Sequence, residues 1–295
     1  MKLKRLLGKI LIGILFISAT TSITTKTVYA DSYKVVTLGA DLNSNQKNEM
    51  LKYFNVDKKE ANILEVTKSE EEKYLGGVAS SKQIGTKSIS CSFVEPTSSG
   101  GLQISTHNIY WVTESMIRNA LITAGIENAI VKAGAPFNVS GTAALTGILK
   151  GFENSKGGEK IDENKKKAAN EEIIVTGELG EKVGQDEAAN IINEVKKEVI
   201  KENPTGEKEI EKIVVNVTNN YGANLSQEEI QKITDLMNKI NNLDLDFNKI
   251  KDQLNDATSK LKDVISSDEA KGFFEQVKEF FSNLFISIGN LIGNK

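Results

Sequence analysis

The chain has 295 residues, 39% of them hydrophobic and 26% charged, with a formal net charge of -3 at pH 7. That balance offers no basic field for phosphates, so nucleic acid is excluded as a partner. Cys91 is the single cysteine, so no internal disulfide can form and stability must come from burial.

Lys2, Lys4, Arg5 and Lys9 form a basic head. Ile10 to Ala19 is an apolar run too short to span a bilayer comfortably, and Val28-Tyr29-Ala30 has the small-x-small form of a cleavage site. The pattern predicts a secretory signal peptide over 1–30, cleaved near Ala30, with an uncleaved anchor as the alternative. A secreted or extracytoplasmic location follows. The remaining chain of about 265 residues suits one large domain or two ordinary ones.

"YKVVTLG" (33–39) and "NILEV" (62–66) read as strands. Between them "DLNSNQKNEMLKYF" reads as a helix with Asn43 as cap and Gln46 three residues on. Ser69 and Glu72 have capping-box spacing before a brief helix that ends at Gly76-Gly77. In "KSISCSFVEPTSSGGLQISTHNI" two alternating runs flank a Pro/Ser/Gly turn, which predicts a hairpin. Ile89, Cys91 and Phe93 would share its apolar face with Leu102 and Ile104. Ser88, Ser90 and Ser92 would share a solvated face with Gln103, Ser105 and His107. The matching register sets Cys91 near Ile104, Ser90 near Ser105 and Ser88 near His107.

"TESMIRNALITAG" (113–125) reads as a helix and "NAIVKAGAP" as a strand. In "APFNVSGTAALTG" (135–147), Pro136 keeps Ala135 out of a helix and Ser140 is a good N-cap. Gly141, Ala143, Ala144 and Gly147 would let the following helix lie close to a sheet. Its N-terminus, at Ser140, Gly141 and Thr142, has free N–H groups that suit a small anion. No Lys or Arg stands in the first turn, however, and the glycines fit no phosphate or dinucleotide loop, which favours a structural helix start.

"ENSKGGEKIDENKKK" (153–167) breaks the composition and reads as a linker. Helical spacing follows to Asn203-Pro204-Thr205-Gly206 and resumes with Ile210, Ile213, Val214 and Val217. Ser226 and Glu229 form a capping box. Ile233, Ile240, Phe247, Leu254 and Leu261 recur every seven residues, as do Leu236, Leu243, Ile250, Ala257 and Val264. An unbroken helix here would be about 45 Å long. Asp246 could instead cap a second helix, and packing within the chain and a self-associating coiled coil fit the heptads equally. Beyond it, Phe273, Phe274, Val277, Phe280, Phe281, Leu284, Phe285, Ile288, Leu291 and Ile292 fall on one helical face. Such a stripe calls for cover by this chain, another subunit or a membrane surface.

His107 is the only histidine. Beside Ser88, with Ser90 and Ser105 nearby, it would make the nucleus of an acyl-transfer site, but no acid partner and no nucleophile elbow is in sight. One histidine and one cysteine on opposite faces make no zinc site, the acidic residues lack calcium-loop spacing, and no cofactor is implied.

The segments "VVTLGADL", "KYLG", "QIGTKSIS", "THNI", "NALITAGIENAIV" and "APFNVSGTAALTG", in this order, resemble the exported proteins of Gram-positive bacteria grouped as domain of unknown function 1002. "TGELGEKVGQDEA" and the heptad segment are similar to that family's second half, and Glu153 fits its pattern. Tyr110-Trp111 is a bulkier pair than the family suggests. The resemblance implies an extracytoplasmic location and no particular activity.

Together these features predict a signal peptide (1–30), a mixed α/β domain (31–152), a linker (153–167), an elongated all-helical, coiled-coil-like module (168–265) and an amphipathic C-terminal helix (266–295). The leading functional expectation is a non-enzymatic envelope protein. It would act by self-association or protein contact through the 226–265 and 273–292 helices, or by membrane contact through the last. An envelope hydrolase with a Ser/His pair and a small-anion binder at Ser140, Gly141 and Thr142 are the alternatives.

Overall fold

A computed structural model of the chain describes residues 33–265. The expected signal peptide (1–30) and C-terminal helix (266–295) lie outside them. The apolar run Val35–Gly39 forms β1 and is buried on both faces, as suits an inner strand. With β2 (Asn62–Val66), β3 (Cys91–Pro96), β4 (Leu102–Ile109) and β5 (Ala129–Val139) it makes one sheet of order β2-β1-β3-β5-β4. The β1/β2 and β4/β5 pairs are parallel, and β3 runs antiparallel to both of its neighbours.

The expected hairpin is therefore absent, because β5 lies between β3 and β4. Cys91 stands opposite Gly134, and Ile104 opposite Val131. The expected faces change with it: Cys91 and Phe93 share rows with His107 and Ser105, while Leu102 and Ile104 lie on the opposite face, because alternation separates the two sides of one strand but carries no information about the neighbouring strand. The Thr97–Gly101 connection must cross two strand spacings of about 4.8 Å each, within its reach of roughly 17 Å. Asn128, at the entry to β5, ties this loop down. Its carbonyl accepts from Thr97 N (3.2 Å) and its Oδ1 from Gly101 N (2.9 Å).

Helix α1 (Ser44–Tyr53), capped by the Asn43/Gln46 box, packs Met50 and Leu51 on one face of the sheet with Cys91 and Phe93. Burial there pushes the Cys91 thiol up to about 12, which leaves it unreactive. Helix α2 (Lys68–Leu75) is capped by Thr67 and Glu70, not by Ser69 and Glu72. Two S/T-x-x-E spacings overlap here, and the earlier one wins because β2 ends at Val66, directly before it. The short α3 (Ser81–Ile84) follows, and then α4 (Glu114–Thr123), capped by Thr113.

Helix α5 (Thr142–Glu153) covers the other face of the sheet, beside α4. The serines expected on a solvated face lie on this side: Ser88, Ser90 and Ser92 are all buried. Gly147 explains the close approach. A Cβ there would come within 2.5 Å of Thr37 Oγ1 and 3.0 Å of Ser92 Oγ. Those two hydroxyls hydrogen-bond to each other at 2.5 Å, so the sheet presents a satisfied polar pair to a bare helix backbone.

A run of helices follows: α6 (Glu163–Val183), α7 (Gln185–Glu202), α8 (Glu207–Asn220), α9 (Gln227–Asn241) and α10 (Phe247–Ile265). The 153–167 stretch is anchored, since Glu153 accepts from Ile161 N and pairs with Lys166 at 3.1 Å. The heptad segment divides at Asn242–Leu245. Asp246 Oδ1 accepts from Asn248 N (2.9 Å) and starts α10, so there is no single long helix. Its stripe is covered by the same chain. Ile233, Leu236, Met237 and Ile240 join a core with α6, α7 and α8, while Ile250, Leu254, Ala257 and Leu261 join the core that reaches the sheet through α4.

Lys196 fastens these layers. Its Nζ is fully buried and donates to Glu172 Oε1 (2.8 Å), Asn119 O (2.8 Å) and Thr123 Oγ1 (3.0 Å), joining α7 to α6 and α4.

Glu71 is a contrasting case, a fully buried carboxyl with neither oxygen hydrogen-bonded and only a long contact, 3.8 Å, to Lys68 Nζ. Burial raises its pKa from 4.5 to about 7. The folded state thus holds a proton that the unfolded chain has lost. The resulting stability is complete below the unfolded pKa and disappears as pH rises through about 7. Burial also raises Glu187 to about 7, so both groups act in the same direction. The melting temperature should therefore fall between about pH 5 and pH 8, in this range. Glu71→Gln should flatten that decline and add up to about 3 kcal/mol at the alkaline end, at roughly 1.4 kcal/mol per pKa unit. Melting curves across this range check the expectation; an identical slope in the variant contradicts it.

Candidate functional site

The structure separates the Ser/His pair. Cys91, Gly134 and His107 stand in one row across β3, β5 and β4, so a whole strand divides the serine segment from His107. Two strand spacings put the outer members about 10 Å apart. The Ser88 amide donates to Asp41 Oδ2 (2.7 Å), and the side chain is fully buried. His107 stacks on Tyr53, ring centroids 4.3 Å apart at 18°, with Asn108 Nδ2 3.1 Å from its Nε2. Nothing in this arrangement lets the imidazole take a proton from Ser88 or Ser90.

Ser140, Gly141 and Thr142 do come together, but as a clip. Gly141, not Ser140, is the N-cap of α5, with φ of 95°. A side chain there would strike Ile109, and the left-handed backbone further favours glycine. The hydroxyls of Ser140 (3.4 Å) and Thr142 (3.3 Å) both donate to the carbonyl of Gln83 in α3. The helix start is thus met by another segment's carbonyl, which is no environment for an anion.

Ser140 also borders a cleft of about 630 Å³ between the sheet-bearing part and the helices. Five segments build it: Ser80 and Gln83 from α3 and its cap; Tyr110 and Trp111 after β4; Ser140 before α5; Val175 to Glu181 on α6; and Ser226 to Ile233 at the start of α9. Trp111 is 9% exposed and lies against Gly177, where a Cβ would overlap its ring. Tyr110, its neighbour, is 69% exposed.

Glu178, Glu181, Glu228, Glu229 and Lys232 supply the charge. Lys232 pairs with Glu178 (3.1 Å) and Glu228 (3.5 Å), and Gln83 Nε2 donates to Glu178 (3.2 Å). Glu229 pairs with Lys182 (2.6 Å) and caps α9 through Ser226. Burial works to raise the pKa of Glu229, but hydrogen bonds from Lys182 and Ser226 outweigh it and hold the carboxyl below its ordinary value. Glu229 is therefore an ionised acceptor rather than a proton donor. Aromatic faces, an amide, hydroxyls and carboxyl groups suit recognition. Among the described residues no group of His, Cys, Asp and Glu is placed to hold a metal ion.

Sequence reasoning reached Ser140 and remarked on Tyr110-Trp111, but missed Gln83, Glu178, Glu228 and Lys232. The available signal was Gly177, a glycine inside a helix, which marks a place where something large approaches the backbone.

Over residues 38–257 the chain matches the family described as "Protein of unknown function (DUF1002)". It is similar to the uncharacterized protein YpuA of Bacillus subtilis (strain 168), with 39% identity over 285 residues, which is 95% of this chain and 98% of that one. No solved structure matches it.

Proposed function

We propose, for a chain that belongs to the DUF1002 family, a non-enzymatic role at the cell envelope, exercised by binding a ligand in the Tyr110/Trp111 cleft. The N-terminal pattern supports export. The observation that carries the binding role is Tyr110, a large aromatic side chain 69% exposed at the rim of this cleft. An aromatic ring left in water beside convergent polar groups is characteristic of a recognition site. The apolar stripe of 273–292 supplies a second surface in this reading, for self-association or a membrane.

The purified full chain should co-sediment with isolated envelope material, and Tyr110→Ala should weaken retention about fivefold or more, at roughly 1 kcal/mol for a lost aromatic contact. Being exposed, Tyr110 should leave the melting temperature unchanged. Equal retention of the variant rejects the cleft as the binding site.

A further inference from the structure

We propose that residues 77–85 form a lid on the Tyr110/Trp111 cleft, held shut while the Glu71 carboxyl is protonated and released when it ionises. The lid belongs to the cleft whose binding role is proposed above. Its motion is tested without a ligand, so the two readings fail separately.

The hinges are two glycines. Gly77 and Gly85 bracket α3 with φ of 90° and 68°, a left-handed backbone that glycine adopts freely, and a Cβ on either would meet nothing within 4 Å. The hydrogen bonds that tie this segment to other elements are long. The Gln83 carbonyl accepts from Ser140 and Thr142 at 3.4 and 3.3 Å, and Gln83 Nε2 donates to Glu178 at 3.2 Å. Ser80 and Gln83 both line the cleft. The Ile84 carbonyl accepts from Lys68 Nζ at 3.1 Å. Segments held in this way open locally while the core stays closed.

The latch is beside Ile84. Lys68 Nζ, bonded to the Ile84 carbonyl, is 3.8 Å from Glu71 Oε2. Both Glu71 oxygens and the hydroxyl of Ser88, just past Gly85, are buried without a hydrogen-bond partner. A neutral carboxyl tolerates that site, whereas an ionised one needs an ammonium or water. The charges acting on Glu71 are Lys68 and Glu72 on α2 and Asp41 after β1. Lys87, before β3, is exposed. Lys150 of α5 is held by Glu70, while Glu163 and Lys166 of α6 pair with each other and with Lys73 and Glu153. An ionised Glu71 draws Lys68 inward, because a charged acceptor outweighs the Ile84 carbonyl, and the lid loses that tie. Opening then admits water to Glu71 and Ser88.

Burial raises Glu71 to about 7 with the lid shut; hydrated under an open lid it returns towards 4.5. The closed state is thus favoured fully at low pH and loses ground as pH rises through about 7. From about pH 6 to about pH 8 the open population should grow roughly tenfold.

Amide hydrogen exchange of the full chain at these two pH values tests the lid, read as protection factors to remove the intrinsic pH dependence of exchange. Protection in 77–85 should fall about tenfold on raising the pH, and should stay far below that of α4 throughout, since the lid opens without unfolding. Glu71→Gln should abolish the fall. Lys68→Met should lower lid protection about fivefold or more already at the lower pH, by cutting the tie to Ile84. Glu187, the other carboxyl raised to about 7, lies on α7 and is untouched by lid opening, so Glu187→Gln should leave the response intact. Equal lid protection at both pH values, a lid as protected as α4, an unaltered fall in Glu71→Gln, a fall lost in Glu187→Gln, or native lid protection in Lys68→Met each overturns the proposal.

Discussion

Lys196→Ala is expected to destabilise the fold by about 3–5 kcal/mol, the cost of stranding one member of a buried ion pair. The side chains of Lys196 and Glu172 are 0% and 1% exposed, so no water can replace the lost ammonium. Thr123 Oγ1 still donates to Glu172 (2.6 Å), but one neutral donor does not balance a charge. A loss of this size is a large part of the ~5–15 kcal/mol that ordinarily holds a domain together. In urea the midpoint should fall steeply with the slope unchanged. Removing both charges, as Lys196→Met with Glu172→Leu, should recover most of the loss, because then no buried charge is left alone. A single variant within about 1 kcal/mol of the parent, the scale of an exposed pair, would show that the pair is not sealed from water.

Gly147→Val is the second large effect, a loss of about 1–3 kcal/mol from overpacking. The new side chain would enter the space of Thr37 Oγ1 and Ser92 Oγ, neither of which can swing away without breaking their mutual bond. Gly147→Ala should fall in between, since alanine recovers up to about 1 kcal/mol of helix propensity. Combined with Thr37→Ala, it should cost less than the two changes added together, because the second removes the atom that the first strikes. Strict additivity would mean that α5 does not touch the sheet there.

The same helix shows what was legible beforehand. Small residues at Gly141, Ala143, Ala144 and Gly147 announced close packing, and the structure supplies the partners. Capping boxes at Asn43/Gln46 and Ser226/Glu229 were readable because a cap is decided within four residues. Alternation within β3 and β4 was readable locally, but which of their faces would be covered, and which would match, was not, since both sides of the sheet are packed by helices. The order of strands was not, for Asn128, which holds the loop that makes room for β5, lies far along the chain from that loop. The cleft was hidden by the same cause. Tyr110, Ser140, Glu178 and Lys232 sit on separate elements, and no local pattern links them. The Ser88–His107 pairing was lost with the hairpin that would have made it.

The insertion of β5 also determines when this sheet can exist. β4 is bonded along one side only, and the strand that bonds it comes after α4. A chain truncated before Asn128 would leave β4 with no neighbour and β3 with one side open. Such a fragment has little to gain from ordering itself early, because pairings between distant segments must bear their loop entropy before any contact offsets it. A polypeptide emerging from its N-terminus would stay pliant until the last strand appeared, and then close cooperatively.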